Sequence, residues 1–208
     1  MCGIIGLYSK SPEVTPKQLE QTWKACGDML ETLRYRGPDE KQLVQLGSSI
    51  LGHTRLSIID LSTGSQPIFN EDKTIAVVLN GEIYNFTELR VSLEARGHIF
   101  RSRSDTEVIV HLYEDVGEDV FSKLNGMFSL LIFDKRSDTL LGARDRAGEK
   151  PFVYSETPDF FIFASEVKAI LQAPDVPRDL DHEAMALYLN SLAVPAPYTI
   201  FKHIKKLP

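Results

Sequence analysis

A nearly continuous apolar run at residues 74–79, TIAVVL, constrains the fold of this chain more than any other stretch. A strand of this composition has no polar face to present to water, so protein must cover it on both sides. Further apolar segments suited to strands lie at 3–7, 43–46, 49–52, 127–133, 139–143, 152–154 and 160–163. Many short strands with helices between and around them predict an α+β fold, in which stacked sheets are covered by helices.

Three helices are predicted from their starts and their apolar periodicity. Each start carries a capping box, which is a hydroxyl or amide side chain followed three residues later by Glu or Gln. The three pairs are Thr15 with Gln18, Asn85 with Glu88, and Ser104 with Glu107. Apolar residues at steps of three and four predict the buried face of the first helix, namely Leu19, Trp23, Cys26, Leu30 and Leu33. Shorter helical segments are predicted at 120–124, 166–171 and 183–189.

Composition excludes several classes of function. The chain has 208 residues, with 23 Lys and Arg against 29 Asp and Glu, and this net charge of −6 argues against a nucleic-acid-binding protein. No apolar run approaches the roughly 18–20 residues that a membrane span requires, and no secretory signal is visible at the start. We therefore expect neither a nucleic-acid nor a membrane partner.

Cysteine and histidine usage bounds the chemistry further. The two cysteines, Cys2 and Cys26, make a disulfide framework improbable and fit a reducing compartment, so the sequence predicts a cytoplasmic protein. The five histidines are scattered along the chain, at positions 53, 98, 111, 182 and 203, and no metal-type spacing links them to a cysteine. The sequence therefore predicts no metal site.

The first two residues, Met1 and Cys2, carry the most distinctive chemical signal. Removal of Met1 would leave Cys2 with a thiol and an α-amine on one residue, and an amine with a pKa near 8 can accept the proton of the thiol. Cys2 is then a candidate nucleophile with its own base. The alternative is that Cys2 is a small buried apolar residue at the chain start. If Met1 is retained, the Cys2 nitrogen is an amide and cannot act as a base.

Three other features fit this nucleophile, and each also has a purely structural interpretation. Asn80 and Gly81 end the apolar run, where a side-chain amide and a backbone N–H can hold an oxyanion, although Asn-Gly also favours a tight turn. Arg55 can clamp a carboxylate, or it can lie at a strand edge with its charge in solvent. Asp105 can anchor an ammonium group, or it can simply favour the first turn of a helix. Together, Arg55 and Asp105 would recognise an α-amino acid whose side-chain amide Cys2 attacks.

An ordered set of motifs that covers nearly the whole chain resembles the class-II glutamine amidotransferase domains, which are N-terminal-nucleophile glutaminases. Within that group the chain is most similar to the amino-terminal half of glutamine-hydrolysing asparagine synthetases. The motifs are MCGI at 1–4, RYRGPD at 34–39, HTRLSI at 53–58, QP at 66–67, NGEIYN at 80–85, SDTE at 104–107, LNGMF at 124–128, RDRAGEKP at 144–151 and ASEVK at 164–168. Tyr35 and Phe152 depart from the family pattern, and neither change removes a proposed catalytic group.

The resemblance implies a four-layer αββα sandwich and a set of site residues. Cys2, Asn80 and Gly81 would be catalytic, with the last two forming the oxyanion hole. L-Glutamine would be bound by Arg55, Leu56, Ser57, Ile58, Ile59, Asn80, Gly81, Glu82 and Asp105, with Arg55 taking the carboxylate and Glu82 and Asp105 the α-amine. No metal or other cofactor is expected in this domain.

The same resemblance predicts a second domain that is not in this sequence. Residues 2–190 would form the glutaminase domain, and 191–208 would form a linker or the start of an ATP-dependent synthetase domain. ATP and Mg²⁺ are expected only in that second domain, since no phosphate-binding loop occurs before Pro208. A homodimer is compatible with these expectations. The alternatives are an amidotransferase that serves another acceptor, such as a sugar or another carboxylate, and a catalytically silent module with the same fold.

Overall fold

Two antiparallel sheets form the centre of the computed structural model, which describes residues 1–11, 16–57, 60 and 62–208. The first sheet has six strands, in the order β10-β8-β9-β1-β3-β2, and the second has four, in the order β4-β5-β6-β7. The strand bounds are β1 Gly3–Ser9, β2 Glu40–Leu46, β3 Ser49–Arg55, β4 Ile68–Phe69, β5 Ile75–Ile83, β6 Gly126–Asp134, β7 Thr139–Arg144, β8 Val153–Glu156, β9 Phe160–Ala164 and β10 Ile204–Lys206.

Helices lie on the outer faces of both sheets. Their bounds are α1 Pro16–Thr32, α2 Phe86–Glu94, α3 Glu107–Val116, α4 Val120–Lys123, α5 Val167–Ile170 and α6 His182–Ser191. Helices α1 and α5 pack on the first sheet, and α3 packs on β4 and β5 of the second sheet with α2 beside it. The layers therefore run helix, sheet, sheet, helix. The structure confirms the predicted α+β class and its four-layer αββα sandwich.

Alternation along each strand divides the apolar side chains between three layers. In β5, Ala76 and Val78 pack between the two sheets, whereas Ile75, Val77 and Leu79 pack under the helices of the second sheet. Because both faces of β5 are covered, the apolar run at 74–79 needs no polar positions. The space between the sheets is filled by large side chains from both, among them Ile4, Leu51, Leu131, Phe133 and Phe152.

Two predicted helix starts differ from the observed ones. Asn85 does occupy the N-cap of α2, but its side chain bonds to Lys123 O and Asn125 N instead of to the helix. Helix α3 begins at Glu107, and the Glu107 carboxylate accepts the N–H groups of Arg101 and Ser102 instead of closing a box with Ser104. In both cases a contact with a neighbouring loop replaces the local capping bond. The predicted cap at Thr15 lies outside the described residues.

The carboxyl-terminal segment takes part in the first sheet. Strand β10 pairs with β8, and the side chain of Ile204 is completely buried. The Leu207 N–H also donates to Phe152 O at 2.9 Å. The domain boundary predicted at residue 190 stays a prediction, but part of the segment beyond it is packed against the domain. No helix within the described residues is both long enough and apolar enough to span a bilayer.

Candidate active site

A pocket of about 160 Å³ lies where the start of β1 and the end of β3 meet the last residues of β5. Cavities of roughly this volume accommodate a small organic molecule. The residues lining it are Met1, Cys2, Arg55, Leu56, Gly64, Gln66, Leu79, Asn80, Gly81, Glu82, Ser104, Asp105, Thr106, Met127 and Lys150. Most of the predicted site residues are therefore brought together. Ser57 does not line the pocket, and Ile58 and Ile59 lie outside the described residues.

Strand alternation explains why these side chains converge. In β3, Leu51 faces the second sheet, so His53 and Arg55 face it as well. In β5, Val78 faces the first sheet, and Asn80 therefore points the same way. The two sheets thus direct their polar side chains toward each other at the end of the layer where apolar packing stops.

Cys2 is fixed by backbone contacts on both sides. The Leu56 N–H lies 3.5 Å from Cys2 Sγ, and the Arg36 guanidinium donates to the Cys2 carbonyl oxygen at 2.8 Å. Burial raises the pKa of the Cys2 thiol above its usual value, although the Leu56 hydrogen bond and nearby positive charges oppose that rise. The thiol is therefore partly buried and held in place, and it needs a base to become a thiolate.

The turn that follows α1 supplies the Arg36 side chain that holds the backbone of Cys2 in place. Arg36 is buried and pairs with Glu166 at 2.5 Å, which fixes the guanidinium that holds the Cys2 carbonyl. A Cβ added at Gly37 would come within 2.3 Å of the Thr54 backbone, so only glycine allows this turn to approach β3 so closely. The motif at 34–39 thus has a structural role beneath the site.

Asn80 and Gly81 pair with β6 on one side, and on the other side of β5 no strand among the described residues pairs with them. Tyr84 N donates to Asn125 O on the β6 side, so N–H groups at even positions of β5 point toward β6. Those at odd positions point the other way, where Leu79 N donates to Gln66 Oε1 and Ile83 N donates to Asp105 Oδ2. The Gly81 N–H lies between these two and therefore points toward the side of the strand where Gln66 and Asp105 line the pocket.

The Asn80 amide is buried and contacts Ser129 on the adjacent strand. Asn80 Nδ2 lies 3.3 Å from Ser129 Oγ, and Asn80 Oδ1 has no hydrogen-bond partner among the described residues. The two residues are directly opposite each other in the β5–β6 pairing. The Asn80 amide thus has hydrogen-bonding capacity left at its oxygen, on a side chain that lines the pocket.

The pocket carries charges of both signs. Arg55 is only 6% exposed, so its charge does not lie in solvent, and its guanidinium contacts Asp60 O and lies 3.5 Å from Glu40 Oε2. Asp105 is also buried, and burial together with the charge of Glu82 raises its pKa despite the hydrogen bond from Ile83 N. An ammonium group bound between Asp105 and Glu82 would offset this unfavourable charge.

Comparison with known proteins identifies the family. The sequence profile of the glutamine amidotransferase domain matches residues 1–208. This chain belongs to the glutamine amidotransferase domain family. Asparagine synthetase [glutamine-hydrolyzing] 1 and 3 of Bacillus subtilis are 40% and 39% identical to it over the whole chain, which covers 32% and 33% of those proteins. Asparagine synthetase [glutamine-hydrolyzing] 1 of Arabidopsis thaliana is 45% identical over 71% of the chain and 24% of that protein. The chain thus spans a third or less of the length of these relatives.

Solved structures agree on the fold. Glutamine phosphoribosylpyrophosphate amidotransferase from B. subtilis, complexed with ADP and GMP, superposes with a TM-score of 0.62 at 24% identity, over 81% of this chain and 43% of that one. A structure described as the allosteric regulatory enzyme of purine biosynthesis gives 0.63 at the same 24% identity, over 82% and 43% of the two chains. The fold is that of the N-terminal-nucleophile hydrolases.

Some residues that line the pocket or contact its lining in this amidotransferase domain were not predicted as site residues. Arg36 and Gln66 lie in motifs that carry the family resemblance, and those motifs were the available signal. Gln66 is buried and bridges two walls of the pocket, accepting from Leu79 N at 2.6 Å and donating to Thr106 Oγ1 at 3.3 Å. Ser129 carried no signal, because its contact with Asn80 depends on the register of β5 against β6.

Proposed function

We propose that this chain hydrolyses L-glutamine to L-glutamate and ammonia, with Cys2 as the nucleophile. One observation carries the proposal: in a glutamine amidotransferase domain, a single pocket brings a thiol, a buried guanidinium, a buried carboxyl and a buried amide together. Free glutamine presents the complementary set, namely a carboxylate, an ammonium and a side-chain amide. Arg55 would take the carboxylate, and Asp105 with Glu82 would take the ammonium.

The reaction requires removal of Met1. The Cys2 α-amine then accepts the thiol proton, and Sγ attacks the carbon of the glutamine side-chain amide. The resulting oxyanion would be held by the Gly81 N–H and the Asn80 amide N–H, and each such donor contributes about 10²–10³ in rate. The protonated amine gives its proton to the departing ammonia, which leaves a γ-glutamyl thioester. Water then cleaves the thioester, releasing glutamate and restoring the thiol.

The ammonia would be used in another part of a longer protein. The relatives named asparagine synthetases are about three times as long as this chain, which supports an ATP-dependent synthetase domain as the partner of the glutaminase domain. We propose that ATP and Mg²⁺ act in that domain, and that the protein works in the cytoplasm. Met127 lines the pocket and is a candidate for the wall of the ammonia exit.

The test is glutamate release from L-glutamine by protein whose mass shows that Met1 has been removed. We expect Cys2→Ala to lower kcat by at least about 10³-fold, because it removes the attacking atom. Cys26→Ala is the matched control, since Cys26 is buried in the apolar cluster beneath α1 and should leave kcat unchanged. Protein that retains Met1 should be inactive. Equal glutamate release by the trimmed parent and Cys2→Ala would favour the catalytically silent module instead.

A further inference from the structure

A second buried polar cluster lies outside the proposed active site, on the helical side of the second sheet. Its members are Glu71, just after β4; His98, after α2; and His111 and Glu114, on one face of α3. His111 is completely buried, and the other three are partly buried. The histidines are scattered in sequence, which is why the sequence predicts no metal site, but the fold brings two of them together.

Four side-chain atoms of this cluster are spaced like the ligands of one metal ion. His111 Nδ1 lies 3.3 Å from Glu71 Oε2 and 3.5 Å from Glu114 Oε2, and His98 Nδ1 lies 3.6 Å from the same Glu114 oxygen. One atom from each of the four residues can be chosen so that all lie within 4.8 Å of one another. Bonds of about 2.0–2.1 Å in a tetrahedral zinc site place neighbouring ligand atoms about 3.3–3.4 Å apart. The observed spacings therefore need only small adjustments.

The remaining atoms of each residue face outward to groups that would orient it. His98 Nε2 lies 3.1 Å from Asp115 Oδ1, and His111 Nε2 lies 3.7 Å from Glu107 Oε1, so each imidazole points its other nitrogen at a carboxylate. Histidine ligands of metals commonly have such a carboxylate behind them, which fixes the ring and its tautomer. In each glutamate, the carboxylate oxygen that would not bind the ion is held by a hydrogen bond. Ile99 N donates to Glu71 Oε1 at 3.0 Å, and Asn70 donates to Glu114 Oε1 at 2.8 Å.

Buried hydrogen-bonding capacity is left over at the centre of the cluster. Both ring nitrogens of His111 and Glu114 Oε2 are buried without a hydrogen-bond partner among the described residues. Four carboxylates surround the two imidazoles, those of Glu71, Glu107, Glu114 and Asp115, and Arg96 contacts Asp115 at 2.7 Å. Carboxylate oxygens of Glu71, Glu107 and Glu114 all lie within 3.7 Å of the His111 ring nitrogens, so the surroundings of this imidazole are strongly negative. A divalent cation would satisfy His111 Nδ1 and Glu114 Oε2 and offset the excess negative charge.

We propose that Glu71, His98, His111 and Glu114 bind one divalent transition-metal ion, with Zn²⁺ the best match to two imidazoles and two carboxylates. Such a set of ligands suits a four-coordinate structural site. Glu71 is about one-third exposed, which gives the ion a route from solvent. The ion would also act on the loop that leads to Asp105 in the pocket. His111 faces the Glu107 carboxylate, which accepts the N–H groups of Arg101 and Ser102 in that loop, so fixing His111 would make the loop more rigid.

Metal binding by the purified chain tests this proposal without any measurement of catalysis. The chain carries Cys2→Ala, so that the pocket thiol cannot bind metal, and is stripped with EDTA before titration with ZnCl₂. We expect one Zn²⁺ per chain, a higher Tm with Zn²⁺ than without, and, with Co²⁺, the intense visible absorption of a tetrahedral site. His98→Ala and Glu71→Gln should each weaken Zn²⁺ binding by at least about tenfold.

Two features make the result decisive. His203→Ala is the matched control, because His203 also lies 3.7 Å from a carboxylate, that of Asp179, but outside the cluster. Glu71→Gln keeps an acceptor for the Ile99 N–H, so it decides the matter if His98→Ala does not fold. Stoichiometric binding by the parent and His203→Ala, lost in both cluster variants, supports the site. Binding of less than one Zn²⁺ per chain, or equal binding by all variants, would overturn the proposed metal site. The cluster would then be a network of ion pairs between protonated imidazoles and carboxylates.

Discussion

At the scale of single residues, the Asn80 amide has two ends, and only one of them can stabilise an oxyanion. Its Nδ2 contacts Ser129 Oγ, and its Oδ1 is buried without a partner among the described residues. Turning the amide by half a rotation lets the Ser129 hydroxyl donate to Oδ1 and directs Nδ2 away from Ser129, toward substrate. Ser129 would then be a positioning residue that selects the catalytic orientation of Asn80.

We expect Ser129→Ala to lower kcat for glutamine hydrolysis by about tenfold, a fraction of the 10²–10³ that a lost oxyanion donor costs. KM should change little, because the hydroxyl acts on the reacting carbonyl through Asn80 and not on the bound amino acid. Steady-state kinetics of Met1-trimmed protein provide the measurement. Ser129→Thr keeps the hydroxyl and should recover most of the rate. A Ser129→Ala enzyme with the kcat of the parent would rule out this role.

At the scale of elements, a polar contact next to the pocket links the two sheets. His53 on β3 bonds through Nε2 to the carbonyl oxygen of Leu79 on β5 at 3.2 Å. Strand β4 pairs with β5 at Ala76 and Val77, and among the described residues the same edge at Leu79 is satisfied by the side chains of Gln66 and His53 instead of a strand. Since β3 carries Arg55 and β5 carries Asn80, this contact sets the spacing between the two halves of the proposed site.

The same contact predicts a pH dependence of stability. Burial lowers the pKa of His53 to about 4, from its ordinary value of 6.5. Between these values the unfolded chain binds a proton that the folded chain does not, so His53 makes the free energy of unfolding fall as the pH drops from 6.5 to 4. At pH 5 the loss from this group is about 2 kcal/mol relative to pH 7.

Urea unfolding of the parent and His53→Gln at pH 7 and pH 5 measures this contribution. Glutamine keeps a donor for the Leu79 carbonyl and does not titrate, so the variant should lose about 2 kcal/mol less stability than the parent on acidification. Titration of all other groups is common to both proteins and cancels in the comparison. If both proteins lose the same stability between pH 7 and pH 5, His53 is not held neutral by burial.

At the scale of the whole molecule, the sequence predicted what depends on local periodicity and missed what depends on distant contacts. The apolar segment at 127–133 and the capping pair of Ser104 with Glu107 each located an element to within a residue or two. Trp23 fits the periodic face of α1 but is 41% exposed, because the spacing does not show how far the covering sheet extends. The Asn80–Ser129 contact and the approach of His98 to His111 depend on register and on helix packing, which no local pattern encodes.

Strand β10 is the clearest element of this second kind, and it leads to a stability prediction. Three residues near the end of the chain complete the edge of the first sheet, and Ile204 is completely buried among residues from β8, β9 and α5. We expect Ile204→Ala to lower the free energy of unfolding by about 2–4 kcal/mol, as loss of a buried aliphatic side chain does. Removal of residues 191–208 should destabilise the domain at least as much, since it also exposes the edge of β8.

Ile200→Ala is the matched control, because Ile200 is 41% exposed and its substitution should lower the free energy of unfolding by less than about 1 kcal/mol. Urea unfolding of the parent, the two isoleucine variants and the chain that ends at residue 190 gives these values. If the two isoleucine substitutions have equal effects and the shortened chain keeps the stability of the parent, residues 191–208 are instead the linker that the sequence predicts.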